Sequence, residues 1–152
     1  PPPILQWIGL FASTPQIMSG FYRLAVAAAA LHGFVAVGCG SLGAHALRNS
    51  LSPEQQQSWR TAVQYQLMHA AATIGCVALR MANARAAGGV VLADAWLRRA
   101  IVCWLAGSAL FSGSVYALVL GYRFNGWMGP VTPLGGLTMM GGWGALLAAA
   151  LV

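Results

Sequence analysis

Residues 62–75, "AVQYQLMHAAATIG", decide the fold class, because they set two polar rings inside an apolar run. Tyr65 and His69 are four residues apart, so they share one face if the stretch is helical. Few charged residues lie nearby. The stretch therefore predicts an apolar helix that carries a phenol and an imidazole on one face, and it raises the question of whether these groups perform chemistry.

The composition of the whole chain is that of a membrane protein. Of its 152 residues, 59% are hydrophobic and 7% are charged, whereas soluble domains average about 25% charged residues. The net charge of +6 comes from arginines that are scattered at the ends of apolar runs. There is no basic stripe with interleaved aromatic residues, which excludes nucleic-acid binding, and arginines at helix ends are typical of interfacial anchors.

Four apolar segments follow one another along the chain, each close to the roughly 20 residues that a membrane-spanning helix needs. They predict helices at about residues 20–47, 53–82, 95–121 and 133–152, and hence an all-α, integral membrane four-helix bundle. Ser52, ahead of Pro53, is expected to cap the second helix. Asp94 is expected to cap the third helix, and the pair Thr132 and Pro133 to start the fourth.

Residues 1–19 form a short N-terminal extension. Its apolar part is too short to span a membrane, and prolines at positions 1–3 and 15 interrupt it. We expect the extension to lie along the membrane surface or against a partner, since Trp7 and Phe11 would otherwise be exposed. The chain begins with Pro1 rather than Met, which leaves open a late start or the removal of a targeting segment.

Arginines encode the orientation in the membrane. Five are predicted on the side of the N terminus and three on the other side; the two sets are Arg23, Arg80, Arg85, Arg98 and Arg99, and Arg48, Arg60 and Arg123. Because cytoplasmic loops carry the excess of positive residues, both termini are expected to face the cytoplasm or the mitochondrial matrix.

Small residues recur on the predicted helices. On the third helix, Ala109, Gly113, Ala117 and Gly121 repeat every four residues. Such rows let helix backbones approach closely in lipid. The glycines expected at helix contacts are Gly40, Gly43, Gly113, Gly135 and Gly136. A tightly packed bundle explains them without a pore.

Nine polar side chains are predicted to lie inside the bundle: His32, His45, Tyr65, His69, Ser108, Ser112, Ser114, Tyr116 and Thr132. If the first two helices form a hairpin that turns near residue 50, His32 lies level with His69. His45 then lies roughly 20 Å away in depth, at 1.5 Å per residue.

These side chains allow three interpretations. A level pair, His32 and His69, could hold a haem or a metal ion, or it could contact a quinone or a lipid headgroup. The residues favour the third, in which polar side chains hydrogen-bond between helices, since an unpaired polar group in hydrocarbon costs several kcal/mol. Four are expected to bond to one another: Tyr65, His69, Ser112 and Tyr116.

The sequence offers no catalytic constellation. Its two carboxylates, Glu54 and Asp94, fall at helix starts on opposite sides of the membrane, and no catalytic triad, metal-ligand spacing or phosphate loop is present. Without an acidic residue at mid-membrane, ion transport is disfavoured. Three cysteines in apolar runs are expected to be free thiols. We therefore predict no enzyme, no metal and no cofactor, but contact with membrane lipids, including a bound phospholipid.

Four motifs in order along the chain resemble a known family. They are "GSLGAHAL" (40–47), "VQYQLMHA" (63–70), "GSALFSGSVYAL" (107–118) and "VTPLGGLTMMGGW" (131–143). Together they are similar to the YgdD family of small four-helix bacterial membrane proteins, whose eukaryotic relatives are called transmembrane protein 256. The resemblance spans residues 33–152 and implies a membrane location and a fold, but no reaction. His32 and the N-terminal extension have no counterpart in the family pattern.

Two functional interpretations stay open. In the first, the chain is a non-catalytic accessory subunit of a larger complex, preferably a respiratory-chain complex of the mitochondrial inner membrane, with the mitochondrial ATP synthase as another candidate. Arginine as the basic residue type and the apolar extension favour this interpretation. In the second, the chain is a stand-alone small membrane protein that binds lipid or quinone within its bundle, with His32 and His69 as candidate contacts.

Overall fold

Helices make up the described part of the chain. The computed structural model describes residues 18–85, 92–122 and 128–152, so the expectations for the N-terminal extension lie outside it except at Met18 and Ser19. The helices are α1 (Gly20–Ala44), α2 (Pro53–Arg85), α3 (Asp94–Val119) and α4 (Met128–Leu151). No strand occurs in these three ranges, and the all-α class is confirmed.

A capping box fixes the start of α2. The backbone N–H of Gln55 donates to the Ser52 hydroxyl (3.3 Å), and the backbone N–H of Ser52 donates to the side-chain carbonyl of Gln55 (2.9 Å). Each bond satisfies an N–H that no helical carbonyl can reach. The predicted N-cap at Ser52 is confirmed, and the reciprocal bond from Gln55 adds to it.

The predicted start of α4 is wrong. The helix begins at Met128, so Thr132 and Pro133 lie inside it. Proline is tolerated near a helix start, where the first N–H groups have no helical acceptor. Pro130, as the third residue of α4, therefore permits an earlier first turn than the Thr132–Pro133 pair indicated.

Two further boundaries also differ from prediction. α1 ends at Ala44 rather than near residue 47. Ala93 occupies the N-cap position of α3, and Asp94 is the first helical residue, whose carboxylate makes no capping bond. That carboxylate instead bonds to the side chains of Tyr22 on α1, Arg80 on α2 and Arg98 on α3 itself, and the two guanidinium partners make charge-assisted bonds.

Three helices are long and apolar enough to cross a membrane by themselves: Gly20–Ala44, Asp94–Val119 and Gly129–Leu151. α2 is not among them, because Gln64, Gln66 and His69 lower its hydropathy. Its 33 residues nevertheless extend about 50 Å, more than the roughly 30 Å of a bilayer core. Since α2 packs along both α1 and α3, it crosses the membrane with them and stands above it at its ends.

Neighbouring helices pack in chain order: α1 on α2, α2 on α3, and α3 on α4. At one end of the bundle the Tyr22 hydroxyl donates to the Asp94 carboxylate (2.6 Å), which joins the starts of α1 and α3. At the same end the backbone N–H of Ala93 donates to the carbonyl of Ala149 (3.4 Å). The start of α1 and the end of α4 therefore lie on one side, as an even number of crossings requires.

Glycines hold α3 and α4 at close range. A Cβ atom on Gly135 would lie 2.5 Å from the backbone nitrogen of Phe111 and 2.9 Å from the carbonyl oxygen of Gly107. A Cβ atom on Gly142 would lie 2.5 Å from the Trp104 ring. Side chains cannot approach so closely, so the two helices lie at this distance because these positions have none. Gly107 and Gly142 thus join Gly135 as contact positions.

The other predicted packing glycines differ from one another. A Cβ atom on Gly43 would lie 2.6 Å from the Trp59 ring, whose N–H donates to the carbonyl of Cys39 (2.8 Å). On Gly40 it would make an ordinary contact, 3.5 Å from a side chain.

At Gly113 and Gly136, nothing lies within 4 Å of the added atom. The prediction that these two glycines form contacts inside the bundle is therefore wrong. The contact line of α3 runs instead through residues 100, 104, 107 and 111, a heptad spacing that residue 113 does not share. Gly113 instead borders an open groove, and Gly136 is half-buried with open space beside its Cα atom.

Candidate functional site

An inner line of polar side chains runs along α2. Gln66, His69 and Thr73 are buried, and their spacing of three and four residues places them on one helix face. Gln66 and Thr73 were missing from the predicted inner polar set. Their spacing from His69 could have predicted their burial, since residues one helical turn from a buried residue lie on the same buried face.

Both ring nitrogens of His69 are engaged within the protein. Nδ1 lies 2.8 Å from the backbone carbonyl of Tyr65, and Nε2 lies 3.2 Å from the indole nitrogen of Trp143. Because a carbonyl only accepts and an indole N–H only donates, Nδ1 carries the proton and Nε2 accepts. His69 therefore links α2 to α4, and neither of its nitrogens is left for a metal ion.

Tyr65 lies in a different environment from His69. Its side chain is 40% exposed, and its ring packs against the rings of His69 and Phe111, with centroids 6.0 and 5.1 Å apart. Among the described residues its hydroxyl has no hydrogen-bond partner. Tyr65 thus contributes ring contacts between α2 and α3.

The hydrogen bonds expected among Tyr65, His69, Ser112 and Tyr116 do not occur in the described structure. The Ser112 hydroxyl instead donates to the backbone carbonyl of Ala62 (2.8 Å), and the Tyr116 hydroxyl donates to the side-chain oxygen of Gln66 (3.0 Å). Acceptors on α2 lie directly opposite these hydroxyls, so each bonds there rather than to a more distant side chain. Both bonds join α2 to α3.

His32 and His69 have separate partners. His32 Nδ1 lies 3.2 Å from the Ser108 hydroxyl on α3, which also lies 3.3 Å from the carbonyl of Leu105. A bis-histidine site needs a free nitrogen from each ring, and His69 has none. In the three described ranges, no group of three His, Cys, Asp or Glu residues could hold a metal ion.

Two predicted polar residues lie near helix ends. His45 is the C-cap residue of α1 and is exposed, so its predicted place inside the bundle is wrong. The reason is that α1 ends one residue before it. Thr132 Oγ1 lies 2.7 Å from Ser114 Oγ, and this hydroxyl pair joins α3 to α4.

A charged cluster closes the end of the bundle at which α1 begins. The Asp94 carboxylate accepts from the Tyr22 hydroxyl and pairs with Arg80 of α2 and with Arg98 of α3, the latter at 2.7 Å. The Arg98 guanidinium also lies 4.9 Å from the centroid of the Phe21 ring. One carboxylate therefore ties three helices together at the membrane edge.

A largely apolar groove with three polar side chains opens between α1, α2 and α3. Its volume is about 240 Å³. The lining residues are Leu31, His32, Val35, Gln66, Ala109, Gly113 and Tyr116. The space exists because Ala109 and Gly113 of α3 are small, and because α1 packs against α3 much less than against α2.

These observations define a polytopic α-helical membrane protein whose buried polar groups bond helix to helix. The profile of the family described as "Protein of unknown function (DUF423)" matches residues 39–136. The chain belongs to this family, and its resemblance to the YgdD proteins is confirmed. No solved structure shows significant similarity to the chain.

Relatives of the chain carry membrane-protein names. The UPF0382 membrane protein of Schizosaccharomyces pombe is 35% identical over 123 residues, which cover 78% of this chain and 94% of that protein. YwdK, a UPF0382 membrane protein of Bacillus subtilis, is 34% identical over 80% of this chain and 90% of that protein. The inner membrane protein YgdD of Escherichia coli K12 is 32% identical over 81% of this chain and 86% of that protein.

Proposed function

We propose that the chain is a non-catalytic structural subunit of a larger membrane assembly. Six buried polar residues of the described bundle support this proposal, because each one bonds to a backbone or side-chain partner; they are Gln66, His69, Thr73, Ser108, Ser112 and Ser114. Hydrogen bonds of this kind hold transmembrane helices in position relative to one another. The carboxylates of Glu54 and Asp94 lie at opposite ends of the bundle, where each is bonded to other side chains.

The observation that carries the proposal is the outer face of α4. Gly141 and Gly144 are exposed there, and an added Cβ atom would meet nothing within 4 Å. Leu137, Met140 and Leu147 surround them and are each more than 60% exposed. On the opposite face of α4, glycines allow the close approach of α3. The outer face of α4 has the same kind of composition, which would allow a transmembrane helix of another subunit to pack closely against it.

We further propose that the assembly is a respiratory-chain complex of the mitochondrial inner membrane, with the mitochondrial ATP synthase as the alternative. The Escherichia coli relative, named an inner membrane protein, supports an inner membrane, and the fission yeast relative, named a membrane protein, supports a eukaryotic member of the family. The arginines gathered at the Asp94 end support insertion with that end toward the matrix.

Blue-native electrophoresis of digitonin-solubilised native membranes tests this proposal. We expect the chain to migrate in an assembly many times its own mass together with respiratory-chain subunits. Gly144→Leu should release it as a small species, because the new side chain blocks close helix approach. Gly113→Leu, a matched change on α3, should leave migration unchanged. A wild-type chain that migrates alone would overturn the proposal.

A second groove supports a bound phospholipid. About 510 Å³ of almost wholly apolar space lies between α2 and α4, and its lining includes Gly75, Leu79, Trp104, Trp143 and Leu146. This shape and lining suit one acyl chain. Native mass spectrometry should show phospholipid retained by the wild type and lost from Gly75→Leu, which fills the groove; equal retention by both would contradict the assignment.

A further inference from the structure

The groove between α1, α2 and α3 contains hydrogen-bond donors that the protein does not use. Gln66 is 6% exposed, and its side-chain oxygen accepts from the Tyr116 hydroxyl. No acceptor for its NH2 group occurs among the described residues. In the same ranges, Trp104 Nε1 is the one side-chain nitrogen or oxygen that is both fully buried and without a partner. The Gln66 NH2 group has no partner either, so it is not fully buried and remains accessible from the groove that Gln66 lines.

His32 adds a second polar group to the same wall. Its Nδ1 atom faces Ser108, while Nε2 has no partner among the described residues. The remaining lining is apolar or small, and none of the lining residues carries a carboxylate, a guanidinium or an amine. The groove therefore suits a neutral, largely apolar ligand that offers a hydrogen-bond acceptor.

Depth in the membrane restricts the chemistry of that ligand. Gln66 is three residues from the midpoint of α2 (Pro53–Arg85), or about 5 Å along the helix axis. Near the midplane phospholipids present hydrocarbon, because their ester carbonyls lie at the interface. An acceptor at this depth must be carried there by an otherwise apolar molecule, such as a ring with carbonyl oxygens on an isoprenoid tail.

We propose that this groove binds the head of an isoprenoid quinone, with the Gln66 NH2 group donating to one ring carbonyl and His32 bordering the ring. Ala109 and Gly113 form the floor on which the flat ring lies, and the tail leaves through the open side into lipid. The site is independent of the assembly role of α4, and it requires no electron transfer within this chain.

Binding of decyl-ubiquinone to the purified chain in nanodiscs tests the site. A carbon-13 label on the ring carbonyls lets infrared spectroscopy report the hydrogen bond as a downshifted stretch. We expect saturable binding and a downshift in the wild type. Gly113→Leu fills the floor without removing any polar contact and should weaken binding about tenfold. Gly144→Leu, the matched glycine on the outer face of α4, should bind within about twofold of wild type.

Gln66→Leu should abolish the carbonyl downshift. Because this change also removes the bond from Tyr116, circular dichroism and the unfolding midpoint are recorded for each variant, and Gly113→Leu keeps the test decisive if Gln66→Leu does not fold. Non-saturable uptake that is equal in all variants would mean partition into lipid and would overturn the proposal. A wild-type groove that retains a phospholipid in place of quinone would also overturn it.

Discussion

α2 and α4 hold their places in the bundle by opposite means. α4 is apolar enough to cross a membrane by itself and approaches α3 at Gly135 and Gly142, where the absence of side chains allows close contact. α2 falls short of that hydropathy and is joined to α1 and α3 by hydrogen bonds that involve Trp59, Ala62 and Gln66.

The difference follows from the solvent. Lipid tails are as apolar as leucine, so burying apolar surface between helices gives little drive for association. One remaining option is close backbone contact, which α4 uses, and another is hydrogen bonding, which α2 uses. α4 should therefore be sensitive to added atoms, and α2 to the removal of polar ones.

Adding one methyl group to the α3–α4 contact should have the largest effect. Gly135→Ala places a Cβ atom against the backbone of Phe111 and Gly107, which cannot move aside as a side chain can. We expect a loss of about 3 kcal/mol in unfolding free energy, the upper end of the usual range for overpacking. Unfolding by sodium dodecyl sulfate in bicelles, followed by circular dichroism, measures it.

The adjacent glycine is the matched control. Gly136→Ala adds the same methyl group where nothing lies within 4 Å, so the unfolding free energy should stay within about 0.5 kcal/mol of wild type. Equal stability of the two variants would show that close approach at Gly135 does not set the distance between α3 and α4.

Removing the imidazole of α2 should have an intermediate effect. His69→Ala breaks the bond to Trp143, and we expect a loss of roughly 1–2 kcal/mol, the range for interhelical hydrogen bonds in model peptides. His45→Ala, at the exposed end of α1, should change stability by less than about 0.5 kcal/mol. A His69→Ala protein with unchanged stability that lost a bound small molecule would reassign His69 from helix contact to ligand binding.

The charged cluster should contribute least. Asp94→Asn weakens the pairs with Arg80 and Arg98, but the Asp94 side chain is 37% exposed, so water and salt screen them. We expect a loss below about 1 kcal/mol that shrinks further in high salt. Glu54→Gln, at the opposite end of the bundle, serves as the control. A loss above about 2 kcal/mol that salt does not change would mean that the cluster is desolvated.

Local features of this chain could be predicted from the sequence, and features that depend on helix register could not. Composition and segment length indicated the all-α membrane class, and the Ser52–Pro53 pair indicated the start of α2, because each signal resides in neighbouring residues. Trp143 is 74 positions from His69, so no local pattern connects them.

The packing glycines show the same limit. Gly107, Gly135 and Gly142 matter because they face another helix, whereas Gly113 faces open space although it belongs to the more regular row. A row of glycines indicates that another helix can approach closely, but the rotation of the helix about its axis decides which glycine faces that other helix. That rotation results from the whole bundle, including the inner polar line of α2.

Cysteine labelling on both sides of α2 most directly tests the claim that this polar helix crosses the membrane inside the bundle. Each native cysteine is replaced by alanine, and a single cysteine is placed at Ser50, before α2, or at Ala95, after it; both positions are exposed. In sealed, oriented vesicles a membrane-impermeant maleimide should label Ser50→Cys from one side and Ala95→Cys from the other. Labelling of both from the same side would place α2 on the membrane surface and contradict the four-crossing bundle.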